Sequence, residues 1–74
     1  EWTIVNVKDL SRFPAGAVVD AEALRAAGLV KKVSAGIKIL GDGMIGHALT
    51  VRAHHYSLAA KRKIEAAGGK AEVI

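Results

Sequence analysis

Three histidines and a serine are the residues of this chain best suited to chemistry. His54 and His55 are adjacent, His47 precedes them, and Ser57 follows closely. Histidine titrates near neutral pH and can serve as an acid, a base or a metal ligand. Adjacent residues of a strand point to opposite sides, and neither a cysteine nor a carboxylate cluster completes a ligand set. We therefore expect no metal site and no enzymatic activity, and we interpret Ser57 as a helix cap.

The glycines of residues 41–46 match the phosphate-binding fingerprint G-x-G-x-x-G. They follow an apolar stretch at Ile37–Leu40, as a dinucleotide site requires. The fingerprint would need one helix over residues 45–67, about twice the roughly 11 to 12 residues of an average helix. It would also leave no acidic residue after the next strand to bind a ribose. We therefore expect turn glycines and no cofactor.

Positive charge is concentrated in the second half of the chain or just before it. The chain has 11 lysines and arginines against 7 aspartates and glutamates, a formal net charge of +4. Such an excess favours association with a polyanion, because binding releases the counterions condensed on it. The same side chains are equally compatible with ordinary solvated charge, in which Glu65 pairs with Lys61 or Arg62 along a helix. The basic positions are Lys31, Lys32, Lys38, Arg52, His54, His55, Lys61, Arg62 and Lys63.

The segment from Arg52 to Ser57 is predicted as a loop beside the amino end of a helix. It would place an arginine, two histidines and a tyrosine there. Free amides at a helix amino end and nearby cations together suit a phosphate. Consecutive helix residues are turned by about 100°, so Lys61, Arg62 and Lys63 cannot all contact one flat surface. The residues alone leave both RNA binding and simple solvation open.

Length and composition limit the elements that position these side chains. A chain of 74 residues can form one domain with a modest core. Apolar residues make up 51%, but the aromatics are only Trp2, Phe13 and Tyr56, so Val, Ile and Leu must build the core. The absence of cysteine excludes disulfides and is compatible with a reducing cytosol. No apolar run approaches the roughly 20 residues that span a bilayer and no signal peptide is recognisable, so we expect a soluble chain.

Runs of β-branched and apolar residues predict the strands, and capped runs of helix formers predict the helices between them. Asp20 and Ser57 are suitable amino-terminal caps, and Gly28 and Gly68 are suitable carboxyl-terminal stops. The strands are predicted at Thr3–Val7, Ile37–Leu40, Ala48–Ala53 and Lys70–Ile74, a helical turn at Lys8–Phe13, and helices at Ala21–Ala27 and Leu58–Ala67.

These elements fall into two strand-helix-strand units, at residues 3–40 and 48–74. In both units the helix ends in Ala-Ala-Gly, and each helix is suited to connect two parallel strands. We therefore predict an α/β fold, a small single globular domain over residues 1–74 with a layered ββα-type arrangement.

Several ordered motifs run through nearly the whole chain. They are Val5–Leu10, Leu29–Lys32, Ile37–Gly43, Leu49–His54, Ser57 with Ala60, Lys63–Gly69 and Glu72–Ile74. In order and spacing they resemble the carboxyl-terminal globular domain of the bacterial large-subunit ribosomal protein family L-fifteen. The chain departs from that family at Met44–His47, where an acidic or polar turn is usual, and at Tyr56, where Phe is usual.

The resemblance implies a structural component of the large ribosomal subunit that binds large-subunit ribosomal RNA, supports assembly, and has no enzymatic activity or cofactor. The family also has a basic, glycine-rich amino-terminal extension, so we expect this chain to be the carboxyl-terminal part of a longer protein. The expected partners are the RNA and neighbouring large-subunit proteins, without a membrane or small-molecule substrate, on a cytoplasmic or organellar ribosome. The alternative is a protein–protein interaction module within a ribonucleoprotein. Contacts to phosphates and riboses are expected from Lys31, Lys32, Lys38, Arg52, His54, Lys61 and Arg62.

Overall fold

Short strands and helices follow one another along the chain. The computed structural model describes residues 2–32 and 36–74. The elements in these ranges are β1 (Thr3–Asn6), α1 (Val7–Leu10), β2 (Val18–Val19), α2 (Ala21–Ala26), β3 (Ile37–Leu40), β4 (Thr50–Ala53), β5 (His55–Tyr56), α3 (Leu58–Ala66) and β6 (Lys70–Val73). The predicted strands and the two longer helices agree with these bounds to within two residues. The predicted turn at Lys8–Phe13 instead begins at Val7 and ends at Leu10.

The strands form two parallel sheets. β1, β3 and β5 make up sheet A, and β2, β4 and β6 make up sheet B. The chain passes from β1 to its neighbour β3 through α2, and from β4 to its neighbour β6 through α3. This arrangement confirms the predicted α/β fold with two strand-helix-strand units.

Two short strands, β2 and β5, were not predicted. The sequence indicated a lead-in to a helix at Val18–Val19 and a loop at His55–Tyr56, because two residues are too few to show an alternating pattern. β2 lies within the first unit but pairs with β4, and β5 lies within the second unit but pairs with β3. Each sheet therefore contains strands from both units, which makes the two units one domain.

One cluster of buried side chains joins both sheets and all three helices. It consists of aliphatic residues, as predicted, and Phe13 and Tyr56 pack against it while remaining partly exposed. Burying each large aliphatic side chain stabilises the fold by roughly 1.5–3 kcal/mol. The fully buried large members are Val7, Leu10, Val19, Leu24, Ile37, Ile39, Leu49, Val51 and Ile64.

Side-chain caps set where α2 and α3 begin. Asp20 accepts a hydrogen bond from the Ala23 amide at 2.9 Å, and Ser57 accepts one from the Ala60 amide at 3.1 Å. Gly28, beyond the end of α2, has a φ of +76°, which residues other than glycine rarely adopt. The predicted roles of these three residues are therefore confirmed.

Candidate nucleic-acid interface

The glycine turn after β3 is a packing feature. A Cβ atom at Gly41 would lie 2.7 Å from the Cβ of Ala59, and Gly43 has a φ of +89° and packs closely on Lys8. A dinucleotide fingerprint needs a helix directly after its glycines. Here the next element is the strand β4, Thr50–Ala53. The turn therefore lacks the structural context of that fingerprint, and its glycines are explained by close packing and a positive φ.

Two lysines hold this turn in place. The ammonium group of Lys63 in α3 donates to the carbonyl oxygens of Gly41 at 2.6 Å and Gly43 at 2.7 Å. Lys8 of α1 forms an exposed ion pair with Asp42 at 3.0 Å, and the hydrogen bond in that pair raises the pKa of Lys8. Hydrogen bonds from charged donors are stronger than neutral ones. The ammonium group of Lys63 thus has an internal structural role.

The histidines occupy separate places. His54 Nδ1 accepts a hydrogen bond from the Ile37 amide at 3.0 Å, so the ring proton of a neutral His54 lies on Nε2 and can be donated outward. His47 Nε2 lies 2.6 Å from the carbonyl oxygen of Phe13, to which it donates. Within residues 2–32 and 36–74, histidines and carboxylates form no group of three that could hold a metal ion.

The predicted loop from Arg52 to Ser57 was wrong in one respect. Arg52 lies in β4 of sheet B, whereas His55 lies in β5 of sheet A. Arg52 pairs in register with Glu72 of β6, and its Nε lies 3.3 Å from the Glu72 carboxylate. The structure therefore places Arg52 and His55 on different sheets. The Glu72 carboxylate partly neutralises the positive charge of Arg52.

The other predicted contacts form two groups. Lys31 and Lys32 are exposed, and Thr3 at the start of β1 donates from its hydroxyl to the Lys32 carbonyl oxygen at 3.3 Å. With Lys38 in β3 and His54 before β5, they lie around the amino-terminal half of sheet A. Lys61 and Arg62 are exposed on α3 and form the second group.

The helical ion pairs considered from the sequence are not formed. Within the described ranges, neither Lys61 nor Arg62 comes within 4.0 Å of the carboxylate of Glu65. The ion pairs found there are Lys8–Asp42 and Arg52–Glu72. The positive charges of Lys61 and Arg62 are therefore not offset by a carboxylate on the same helix, which favours their contact with an anionic partner.

Sheet A also has an outer row of side chains, which we call the sheet A row: Ile4, Lys38 and His55. These residues are register partners on β1, β3 and β5, so they point to the same side. Their neighbours Val5 and Ile39 are buried on the other side. The row thus carries an apolar, a basic and an aromatic side chain across the three strands.

Trp2 extends the sheet A row at its amino-terminal end. Its ring centroid is 5.6 Å from that of His55, with 41° between the ring planes. A Cβ atom on Gly36 would lie 2.9 Å from Trp2 Cζ3 and 3.1 Å from His54 Cγ, so the two rings pack closely over this glycine. Trp2 and His55 were absent from the predicted contacts. Trp2, directly before β1, and Ile4 are two residues apart, so their spacing indicated that they share one side of the strand, but the sequence did not indicate that this side is exposed.

The matching family model covers residues 4–72 and describes ribosomal proteins 50S-L15, 50S-L18e and 60S-L27A. A two-sheet α/β domain with basic side chains on its surface is consistent with that class of protein. The chain belongs to this family. The expected resemblance to the L-fifteen family is therefore confirmed.

Several curated relatives are similar over almost the entire chain. The large ribosomal subunit protein uL15 of Syntrophotalea carbinolica is 60% identical over 74 residues, which cover 99% of this chain and 50% of that protein. The proteins of the same name from Desulfosudis oleivorans and Thermosipho africanus are 58% and 57% identical, covering 96% and 99% of this chain and 48% and 50% of theirs. The chain thus spans about half the length of the curated relatives that it matches.

Among the described residues, no helix has the length and apolar character needed to cross a bilayer. α3, the longest helix there, has nine residues.

Proposed function

We propose that this chain is the folded part of a structural protein of the large ribosomal subunit and that it binds large-subunit ribosomal RNA. The observation that carries the proposal is the 55–60% identity to proteins named uL15 across nearly all of the chain. The chain spans about half the length of those proteins. As part of the same proposal, it corresponds to the carboxyl-terminal part of a longer protein.

RNA contact is assigned to the two groups of cations. The first group surrounds the amino-terminal half of sheet A and contains Lys31, Lys32, Lys38 and His54. The second, Lys61 and Arg62, lies on α3. These side chains would contact phosphates and riboses and so recognise the shape of the RNA. Arg52 is kept among the proposed contacts, with a smaller contribution because Glu72 already pairs with it.

We further propose that the chain has no catalytic activity and needs no cofactor, and that it works on the ribosome of the cytoplasm or of an organelle beside neighbouring large-subunit proteins. The support is the family's description as ribosomal proteins. The structural roles of the residues that first suggested chemistry also support it. His54 and His47 bind backbone atoms, Ser57 caps α3, and the glycine turn packs against α1 and α3.

Salt-dependent binding to large-subunit ribosomal RNA fragments tests the phosphate contacts. Each neutralised phosphate contributes about 0.7 to 0.9 to the slope of log K against log salt concentration. We expect Lys38→Gln to weaken binding and to reduce the slope by about one contact. Lys8→Gln removes the same charge from the opposite end of β1, at a lysine paired with Asp42, and should change the slope little. No affinity at low salt, or affinity without salt dependence, would contradict the proposed phosphate contacts.

A protein-interaction module is the second candidate. It is favoured by several large apolar side chains that are more than half exposed, among them Met44 at 70% and Leu58 at 63%. In that case Leu58→Ala would weaken binding to neighbouring large-subunit proteins, while RNA affinity would be absent or unaffected by Lys38→Gln.

A further inference from the structure

The sheet A row and Trp2 form an exposed surface with an unusual composition for a small domain. The chain has a single tryptophan, and its side chain is 44% exposed although a core was available to bury it. Ile4, the next residue on the same side of β1, is 47% exposed. Tryptophan has the largest apolar surface of any side chain, and its exposure is characteristic of binding surfaces.

The aromatic side chains on this surface are held in place. The indole of Trp2 packs on Gly36 and lies beside the His55 ring. His54 packs on the same glycine and is fixed by the hydrogen bond from the Ile37 amide. A ring that is already ordered loses little conformational entropy when a ligand stacks on it. The surface is thus preorganised for a flat aromatic ligand.

The charge of this surface favours an anionic ligand. Lys38 lies in the same row as Ile4 and His55, and Lys32 is placed beside the start of β1 by the hydrogen bond from Thr3. Successive residues on the same side of a strand are about 7 Å apart. Lys38 lies one such step beyond Trp2, on the neighbouring strand, and a lysine side chain is long enough to span that distance. Among the described residues, Lys38 has no carboxylate partner.

We propose that Trp2, together with His55, is a stacking site for an unpaired nucleobase of RNA, with Lys38 binding the adjoining phosphate. A nucleotide is the ligand that combines a flat aromatic group with a negative charge, and aromatic side chains on a sheet with nearby cations are a recurrent way to bind single-stranded RNA. This inference rests on the proposed RNA-binding function and adds the form of RNA that the surface selects.

The single tryptophan makes the test direct, because its emission reports only on position 2. The 74-residue chain is titrated with a single-stranded oligouridylate octamer, with an abasic ribose-phosphate octamer and with a blunt RNA duplex. Binding is followed by the anisotropy of the labelled RNA and stacking by quenching of Trp2 emission. We expect the octamer to quench Trp2, and the abasic octamer and the duplex to bind without quenching.

Variants separate stacking from folding. Trp2→Ala should weaken binding of the single strand by about tenfold, within the range known for one base–aromatic stack, and leave binding of the abasic octamer unchanged. Trp2→Phe keeps a ring over Gly36 and should retain most of the affinity. Leu58→Ala removes an exposed apolar side chain from α3 and serves as the matched control, with no expected effect on RNA binding or on quenching of Trp2 emission. Circular dichroism verifies that each variant is folded.

The outcomes distinguish the two proposals. Salt-dependent RNA binding that leaves Trp2 emission unchanged, with equal affinities for the octamer and the abasic chain, would overturn stacking while leaving RNA binding intact. The absence of all RNA binding would overturn both. If Trp2→Ala weakened binding to a neighbouring ribosomal protein and left RNA affinity unchanged, the surface would belong to a protein partner and the stacking proposal would be wrong.

Discussion

The hydroxyl group of Tyr56 links the two sheets, and its removal measures how strongly they are joined. Tyr56 lies in β5 of sheet A, and its Oη is 2.9 Å from the Val51 carbonyl oxygen and 2.5 Å from that of Glu72, both in sheet B. A hydroxyl group has one proton to donate, so the two contacts share it. Together they are worth about one ordinary hydrogen bond, roughly 0.5–1.5 kcal/mol of net stability.

Tyr56→Phe keeps the aromatic ring and removes only this hydroxyl. We expect the free energy of unfolding at neutral pH to fall by about 1 kcal/mol. For a domain of this size, that loss corresponds to a decrease in Tm of about 4–8 °C. Urea unfolding followed by circular dichroism measures the change, and the m-value should stay constant because the same surface becomes exposed.

The effect should depend on alkaline pH. Burial raises the pKa of Tyr56 from 10.0 to about 12. Because the pKa is higher in the folded state, the contribution of the hydroxyl is fully present below pH 10 and is lost as the pH rises from 10 to about 12. The stability difference between the wild type and the Phe variant should therefore shrink over this window.

Tyr56 is the only tyrosine of the chain, so the absorbance of tyrosinate reports its ionisation without interference from another residue. Equal stability of the two proteins at neutral pH, with ionisation of the folded wild type at pH 10, would refute the account of this side chain as a link between the sheets.

Three further predictions concern the glycine turn and α3. Gly43→Ala should destabilise the fold by more than 1 kcal/mol in thermal unfolding, because its φ is positive and its neighbour leaves no room, while Gly46→Ala, with open space around it, should be nearly neutral. Lys63→Met should lower the free energy of unfolding in urea by about 1–3 kcal/mol, because it removes a charged donor from two carbonyl groups. Equal losses for Lys63→Met and the exposed control Lys61→Met would contradict the role of Lys63 in holding the glycine turn. Ser57→Ala should lower Tm through a loss of about 1 kcal/mol, and an unchanged Tm would mean that the cap contributes nothing.

The regular elements could be predicted because their signals are local. The β-branched run at Thr3–Asn6 and the apolar run at Ile37–Leu40 form strands as expected. Asp20 and Ser57 cap helices by binding amides only three residues away. Such interactions depend on a few neighbouring residues, so the sequence contains all the information needed to recognise them.

The groups that each charged side chain contacts could not be predicted, because these groups belong to residues distant in the chain. Lys63 binds carbonyl groups of the turn at residues 41–43, and Arg52 pairs with Glu72 on a neighbouring strand. From the sequence, Lys63 and Lys61 look alike, but one faces the turn and the other is exposed. The predicted RNA contacts remain predictions, and the structure divides them between sheet A, sheet B and α3.

The sequence by itself determined the fold class, the family and the limits of the main elements, since these follow from short-range patterns and ordered motifs. Only the tertiary structure decided that β2 and β5 exchange sheets between the two units. It also decided that Trp2, Lys38 and His55 share one face, although they come from three separate parts of the chain. The physical reason is that strand pairing brings together residues whose separation in sequence leaves no local trace.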